Sequence, residues 1–568
     1  MERRNPWQGI FGGGGQPFLA ALGAQALPSN PEAAPGDFFN VRAYGAKGDG
    51  KTKDKAAIQK AIDDCSKSGG GVVYLPPGTY LTGTVLLKND VNLHLSAGAT
   101  ILGSPDADDY SAPSEFQKVI TWAVARHLIL AYRQSNIALT GRGTVDGHNS
   151  VMMVPTKNPP IKPDDRWWRT AADLERVLRV SPMIMIVNCD DVLVEGLTLQ
   201  NADGWTMRPM GCNRVVIRGV KVRNNTHTQN TDGIDPTSCE DVMISDCDID
   251  TGDDGLCIKT DNPFGDNRVC RNVTVTNCII SSACSAFKVG SEGFEHFENI
   301  TLSNSVLQSK ESRREDERII AAIDIVMGDG GSIEGLTISN VSIRNARLPF
   351  WIRLQNRVGH RETPMTSWLR SVMISNVQAF GARITSSILG IPGYPIEDVT
   401  LRNIRIQTEE PGKAEWINNV PQEREHGYPE GPLFGRMPAF GLYCRHVKGL
   451  NISDLDLVSN QNDPRPMLEC VDVHGLSLNT LTGTPPSSGA ESIRLQDVSD
   501  ASISGNYPTD KHHVFVQVEG SKSADISFFG NDLYRVKTPI HLAADVPAGA
   551  VTVDDIPFTL PSAATKGQ

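Results

Sequence analysis

From about residue 190 the chain repeats itself, and that periodicity restricts its fold more than any single motif does. The unit is an Asp, Asn or Gly, then Val/Ile/Leu-x-Ile/Leu/Val, a small polar pair and another apolar couplet. Asp241-Val-Met-Ile-Ser-Asp-Cys, Asn272-Val-Thr-Val-Thr-Asn-Cys and Gly335-Leu-Thr-Ile-Ser-Asn are instances. The first apolar residues are Val192, Val215, Val242, Val273, Ile300, Leu336, Val372, Val399 and Leu450, separated by 23, 27, 31, 27, 36, 36, 27 and 51. A shortest spacing near 23, lengthened by additions at one place, is the signature of stacked coils with variable loops. Apolar and polar residues alternate as in strands, and no helical pattern lies between them, which excludes a β/α barrel. The fold class is therefore all-β, a right-handed parallel β-helix, with the recurrent Asn and Asp at its corners.

The N-terminal part supplies a lid for this stack. Residues Asp54 to Cys65 carry Ala57, Ile58, Ala61 and Ile62 at helical spacing, and Ser68-Gly-Gly-Gly71 ends that run. One short helix ahead of a strand array reads as a cap over an otherwise open sheet edge. Residues 1–35 are set apart as a leader or disordered N-terminus. Arg3-Arg4 and the run Phe18 to Ala26 resemble a weakened export signal, which places the protein outside the cell or in the periplasm without excluding the cytoplasm. Residues 36–568 form a single β-helical domain with insertions near 152–179 and 407–438. The first holds Trp167-Trp168 and the second Trp416, Tyr428 and Phe434. Long loops on a repeat scaffold are more often functional than idle.

Bulk properties narrow the partners. A net charge of −12 argues against nucleic acid, and no apolar run approaches the roughly 20 residues that cross a bilayer. Eleven cysteines without a C-x-x-C spacing indicate neither a zinc site nor a redox motif; they read as small core residues. No cofactor or metal is expected, and a capped β-helix is expected to be a monomer.

The chemistry concentrates between Asn230 and Lys259. Shifted by 22 residues, Asp232-Gly-Ile-Asp235 falls on Asp254-Gly-Leu-Cys257. On adjacent coils about 5 Å apart, Asp232 meets Asp253 and Asp254 on one water-facing surface. Clustered carboxylates are what acid/base cleavage of a glycosidic bond requires. The same register makes Ile234, Leu256, Phe287 and Ile323 inward positions and sets Asp235, Cys257, Lys288 and Asp324 in the next, outward column. Lys288 then stands between coils bearing acids, either offsetting their charge or contacting sugar, and a surface ion pair between Lys288 and Asp324 is the plainer alternative. One coil on, Trp351 is expected to offer a sugar platform and Arg353 a carboxylate ligand. Packing of Trp351 beneath a loop is the alternative. Glu292 is either a further acid of the site or a corner residue.

These segments resemble glycoside hydrolase family 28, the polygalacturonases and rhamnogalacturonases. The resemblance is carried by Tyr44-Gly-Ala-Lys-Gly-Asp-Gly50, Gly69 to Gly78, Ile137 to Gly147, Asn188 to Trp205, Asn230-Thr-Asp-Gly233, Gly252-Asp-Asp254 and Gly290-Ser291. It implies a pectin lyase-like β-helix and metal-free inversion, with Asp253 as general acid and Asp232 and Asp254 holding the water. Asn230, Asp235, Lys259, Lys288, Glu292, Asp324, Trp351 and Arg353 are then the candidate substrate contacts. The chain departs from the family at two places: Ser285 stands where Gly-His-Gly carries histidine, and Asp324-Ile-Val326 where Arg-Ile-Lys grips galacturonate. The expected activity is hydrolysis of pectic, galacturonan- or rhamnogalacturonan-related saccharides, with exo action if the insertions close one end of the groove. A polysaccharide lyase and a non-catalytic carbohydrate-binding β-helix are the alternatives.

Overall fold

The computed structural model describes residues 38–119, 126–148, 153–155, 174–176, 180–261, 263–265, 268–310, 318–357, 365–554 and 556–558. The export-signal segment and Trp167-Trp168 lie outside these residues. So does most of the first insertion, of which an antiparallel pair, Met153–Pro155 with Leu174–Arg176, is described.

Each coil of the molecule contributes short strands to three parallel walls. The first wall confirms the repeat in register: Val192 pairs with Val215, and the partners continue through Val242, Val273, Ile300, Leu336, Val372 and Val399 to Leu450. The ladder is longer than the repeat by which it was detected. It starts upstream, where Phe38 pairs with Val72 and Ile137 with Val192, and runs on through Leu476, Ala501 and Ile526 to Val551.

The inward residues form one continuous apolar column with almost no exposed area. Burial of each such aliphatic side chain is worth roughly 1.5–3 kcal/mol. Ten of the eleven cysteines are buried and Cys284 is half-buried. At the corners the Asn residues take the left-handed conformation (φ 50° at Asn304, 56° at Asn340, 53° at Asn376). Their amides stack from coil to coil, Asn340 to Asn304 at 3.1 Å, Asn376 to Asn340 at 3.0 Å and Asn403 to Asn376 at 2.8 Å.

Helix Lys55–Lys67 caps the N-terminal end and buries Ile58, Ala61, Ile62 and Cys65 against the first coils. Asp54, at its start, accepts the Lys47 and Gly48 N–H groups at 2.7 and 2.9 Å, which holds the preceding Gly-rich turn. The second insertion leaves the ladder after Thr408, passes through two 3-10 turns at Ala414–Asn418 and Gly431–Phe434, and rejoins it at Leu442.

Two glycines set how closely the coils approach beside the acidic residues. A Cβ on Gly233 would lie 2.3 Å from the Gly255 carbonyl oxygen, and one on Gly255 2.7 Å from that of Ala286. Both contacts are with backbone, which cannot swing aside. Gly255→Ala is therefore expected to destabilise the protein by about 1–3 kcal/mol, measured as a lower thermal midpoint.

Candidate active site

The third wall carries the acidic residues. Met207 pairs with Ile234 and Ile234 with Leu256, so the 22-residue internal match corresponds to adjacent coils. The wall continues through Phe287, Ile323 and Phe350. The outward column beside it is Arg208, Asp235, Cys257, Lys288, Asp324 and Trp351, the order that alternation predicts. Just before these strands, the Gly233 N–H donates to the Asp254 carbonyl at 2.9 Å and the Gly255 N–H to that of Ser285 at 2.8 Å. Asp232, Asp254 and Ser285 thereby stack in one column.

Asp253 is held separately. Its carboxylate accepts the Asn230 N–H at 2.8 Å and the Asp254 N–H at 2.9 Å. Its carbonyl oxygen accepts the Thr251 and Ser282 hydroxyls at 2.6 and 2.7 Å. Asn230 thus contributes through its backbone, in a left-handed turn.

Two lysines tie the acids together. Lys288 Nζ stands 3.0 Å from Asp254 and 3.9 Å from Asp324, and Lys259 Nζ 2.7 Å from Glu292 and 3.8 Å from Asp232. Ser285 donates its hydroxyl to Asp324 at 2.7 Å and its N–H to Asp254 at 3.1 Å. Both lysines and Asp232, Asp254 and Asp324 are 3% exposed, and Asp235 is fully buried. The expectation of water-facing acids is corrected here. Asp232 and Asp254 lie on the outer face of the coil but are walled in by neighbouring side chains, while Asp253 keeps part of its surface open. The Lys288–Asp324 contact is accordingly buried rather than a surface pair.

The surroundings give these carboxyls different proton affinities. Burial pushes Asp254 up, but the Lys288 and Lys259 ammoniums outweigh it and hold the group below the usual range. Asp253 is raised by burial and by the Asp254 charge, against the N–H groups it accepts. Asp232 is raised well above normal by burial, Asp235 and Asp253. Burial brings Asp235 to about 7 and Asp324 to about 6, each opposed by a lysine. Glu292 is lowered because Lys259 overrides its burial. A partly open carboxyl whose proton affinity is raised adjoins one whose proton affinity is lowered, which is the division of labour that acid/base catalysis uses. Asp253, Asp254 and Cys284 also bring one potential ligand atom each to within 4.8 Å of one another. The ammonium of Lys288 already supplies the positive charge beside Asp254.

Trp351 and Arg353 point outward as expected, yet neither is open to a sugar. The second insertion covers them: the Trp351 Nε1–H donates to the Pro429 carbonyl at 2.7 Å, and its ring packs 5.0 Å from that of Phe434. Arg353 lies 4.8 Å beneath the Phe434 ring and donates to the Gly390 carbonyl at 2.9 Å. Burial leaves them 1% and 0% exposed. The outer face of that coil became a floor for the loop, so the platform and ligand roles are corrected to anchoring.

Residues outside the sequence reading also belong to the cluster. Trp205 is half-buried, with Arg208 4.5 Å and Lys259 5.7 Å from its ring centre. Arg208 donates to the Thr237 hydroxyl at 2.9 Å and lies 3.4 Å from Asp261. Glu430, from the second insertion, accepts the Cys284 thiol at 3.8 Å. Trp205 closes one of the segments behind the family resemblance, whereas Glu430 carries no local signal, because only packing of its loop brings it here.

Comparison with known proteins agrees with the fold. A family model described as Rhamnogalacturonase A/epimerase, pectate lyase-like, matches residues 38–118. The chain is 24% identical over 387 residues to a "Probable polygalacturonase" of Vitis vinifera, covering 64% of this chain and 73% of that one. It is 24% identical over 408 residues to Polygalacturonase-2 of Solanum lycopersicum, covering 69% and 80%. Among solved structures, an exopolygalacturonase from Thermotoga maritima superposes with a TM-score of 0.53 at 22% identity, over 74% of this chain and 92% of that one; it shares the β-helical fold. The model described as Glycosyl hydrolases family 28 matches residues 79–426, more than half of the chain, and the protein is a glycosidase belonging to that family.

Proposed function

We propose that this glycosidase hydrolyses pectic, galacturonan- or rhamnogalacturonan-related saccharides by a single inverting displacement. Asp253 gives its proton to the leaving oxygen, Asp254 with Asp232 holds the attacking water, and Asp254 takes its proton. The observation that carries this reading is the contrast between neighbours: Asp254 has an ammonium at 3.0 Å and, among the described residues, Asp253 has no ion pair. The names of its relatives, polygalacturonases from grape and tomato, support the substrate class. The second insertion, lying over the coils C-terminal to the acids, supports exo action. Residues 36–568 act as one β-helical domain in this reading, and a polymeric plant substrate fits an exported protein.

Three outcomes are expected. Asp253→Asn lowers kcat by about 10²–10⁴-fold, the usual contribution of a general acid, with little change in KM; the wild-type product emerges with inverted anomeric configuration, followed by NMR. Full activity of Asp253→Asn, or a retained anomer, would refute the mechanism. In Lys288→Met the Asp254 carboxyl loses its nearest ammonium and binds a proton at higher pH. The acid limb of the kcat/KM profile therefore moves upward, and an unmoved limb would remove Asp254 from the base role. Oligosaccharides are shortened from one end, so reducing ends appear in step with single-unit products; interior cuts at early times contradict exo action.

A further inference from the structure

Resting on the glycosidase reading above, we infer that Glu430 selects an uncharged sugar ring for the subsite on the C-terminal side of Asp254. The residue is built into place. Its neighbour Pro429 accepts the Trp351 Nε1–H at 2.7 Å, and Phe434 packs on Trp351 and over Arg353. A Cβ on Gly431 would meet Leu348 Cδ2 at 3.0 Å, so the loop lies directly on the coil. The carboxyl that this seating presents is only 7% exposed. One oxygen takes the Cys284 thiol at 3.8 Å, and the other, Oε2, has no hydrogen-bond partner among the described residues. Cys284 Sγ itself lies within 4.8 Å of oxygens of Asp253 and Asp254, which places Glu430 at the edge of the reacting centre.

The charges there leave little room for a uronate. Lys288 stands between Asp254 and Asp324 at 3.0 and 3.9 Å, and a substrate carboxylate would have to draw it away from the base. Burial, with Asp324, Asp254 and Asp253 nearby, raises Glu430 well above the usual range against the pull of Lys288. A neutral carboxyl can donate to a sugar hydroxyl or ring oxygen and accept from another hydroxyl, whereas an adjacent carboxylate on the ring would be repelled by the remaining charges. Either a neutral hexose or a methyl-esterified uronate meets that requirement.

The test is a panel of pectic oligosaccharides ending in a free uronate, in its methyl ester or in a neutral sugar, hydrolysed by wild type, Asp253→Asn, Glu430→Ala, Glu430→Gln and Glu430→Lys. Wild type is expected to favour one or both uncharged ends, and the ester and neutral-sugar arms identify the source. Glu430→Ala raises KM for that substrate about tenfold, the worth of one or two hydrogen bonds, and Glu430→Gln, which keeps a donor and an acceptor, recovers most of the loss. Glu430→Lys shifts preference toward the free uronate. Asp253-dependent hydrolysis that favours the free uronate, or that is indifferent to all three Glu430 variants, overturns this inference and leaves the glycosidase reading standing. Hydrolysis of no member, or none that depends on Asp253, overturns both.

Discussion

The backbone hydrogen bonds between coils at the two Asp-Gly steps hold the rest of the site in place. Gly233 to Asp254 at 2.9 Å and Gly255 to Ser285 at 2.8 Å set acids from different coils one strand spacing apart. Glycine follows each aspartate because the neighbouring carbonyl occupies the space a side chain would need. The apolar column inside pins the register: a slip of one residue would turn every inward aliphatic toward solvent and every acid into the core.

Crowding buried carboxyls in one column is costly unless their charges are offset or lost. Here both occur, and unevenly. Lys288 and Lys259 each reach two acids, but Lys288 is close to Asp254 while Lys259 favours Glu292 over Asp232. The acids nearest an ammonium, Asp254 and Glu292, have lowered proton affinity and the others have it raised, so a single electrostatic arrangement both tolerates the cluster and differentiates its members. Ser285 and Asp324 occupy the positions where the family's histidine and arginine are expected. Ser285 bonds both Asp324 and Asp254, and Lys288 bonds Asp254, a buried hydrogen-bonded set rather than an open cationic grip.

The second insertion shows how a scaffold and its loops divide the work. Alternation along the strand told which way Trp351 and Arg353 point, and the structure keeps that direction. Outward on a β-helix is not the same as exposed, however. A loop that carries its own aromatic residue can bury the face, and Phe434 does so here. Glu430 reaches the acids through that packing alone, from a position 146 residues beyond Cys284.

The repeat made the coil, the wall order and the outward column legible, since a period-two pattern with fixed register leaves one way to stack. The nine repeat positions and the 22-residue overlay are pairing partners in the structure for that reason. The capping helix was legible through its apolar spacing. Which aspartate has its proton affinity raised, how deeply Asp232 and Asp254 sit, and what covers Trp351 follow from the folded molecule. Proton affinity follows from burial and from charges a few ångströms away, and an irregular loop has no periodicity to announce where it will land.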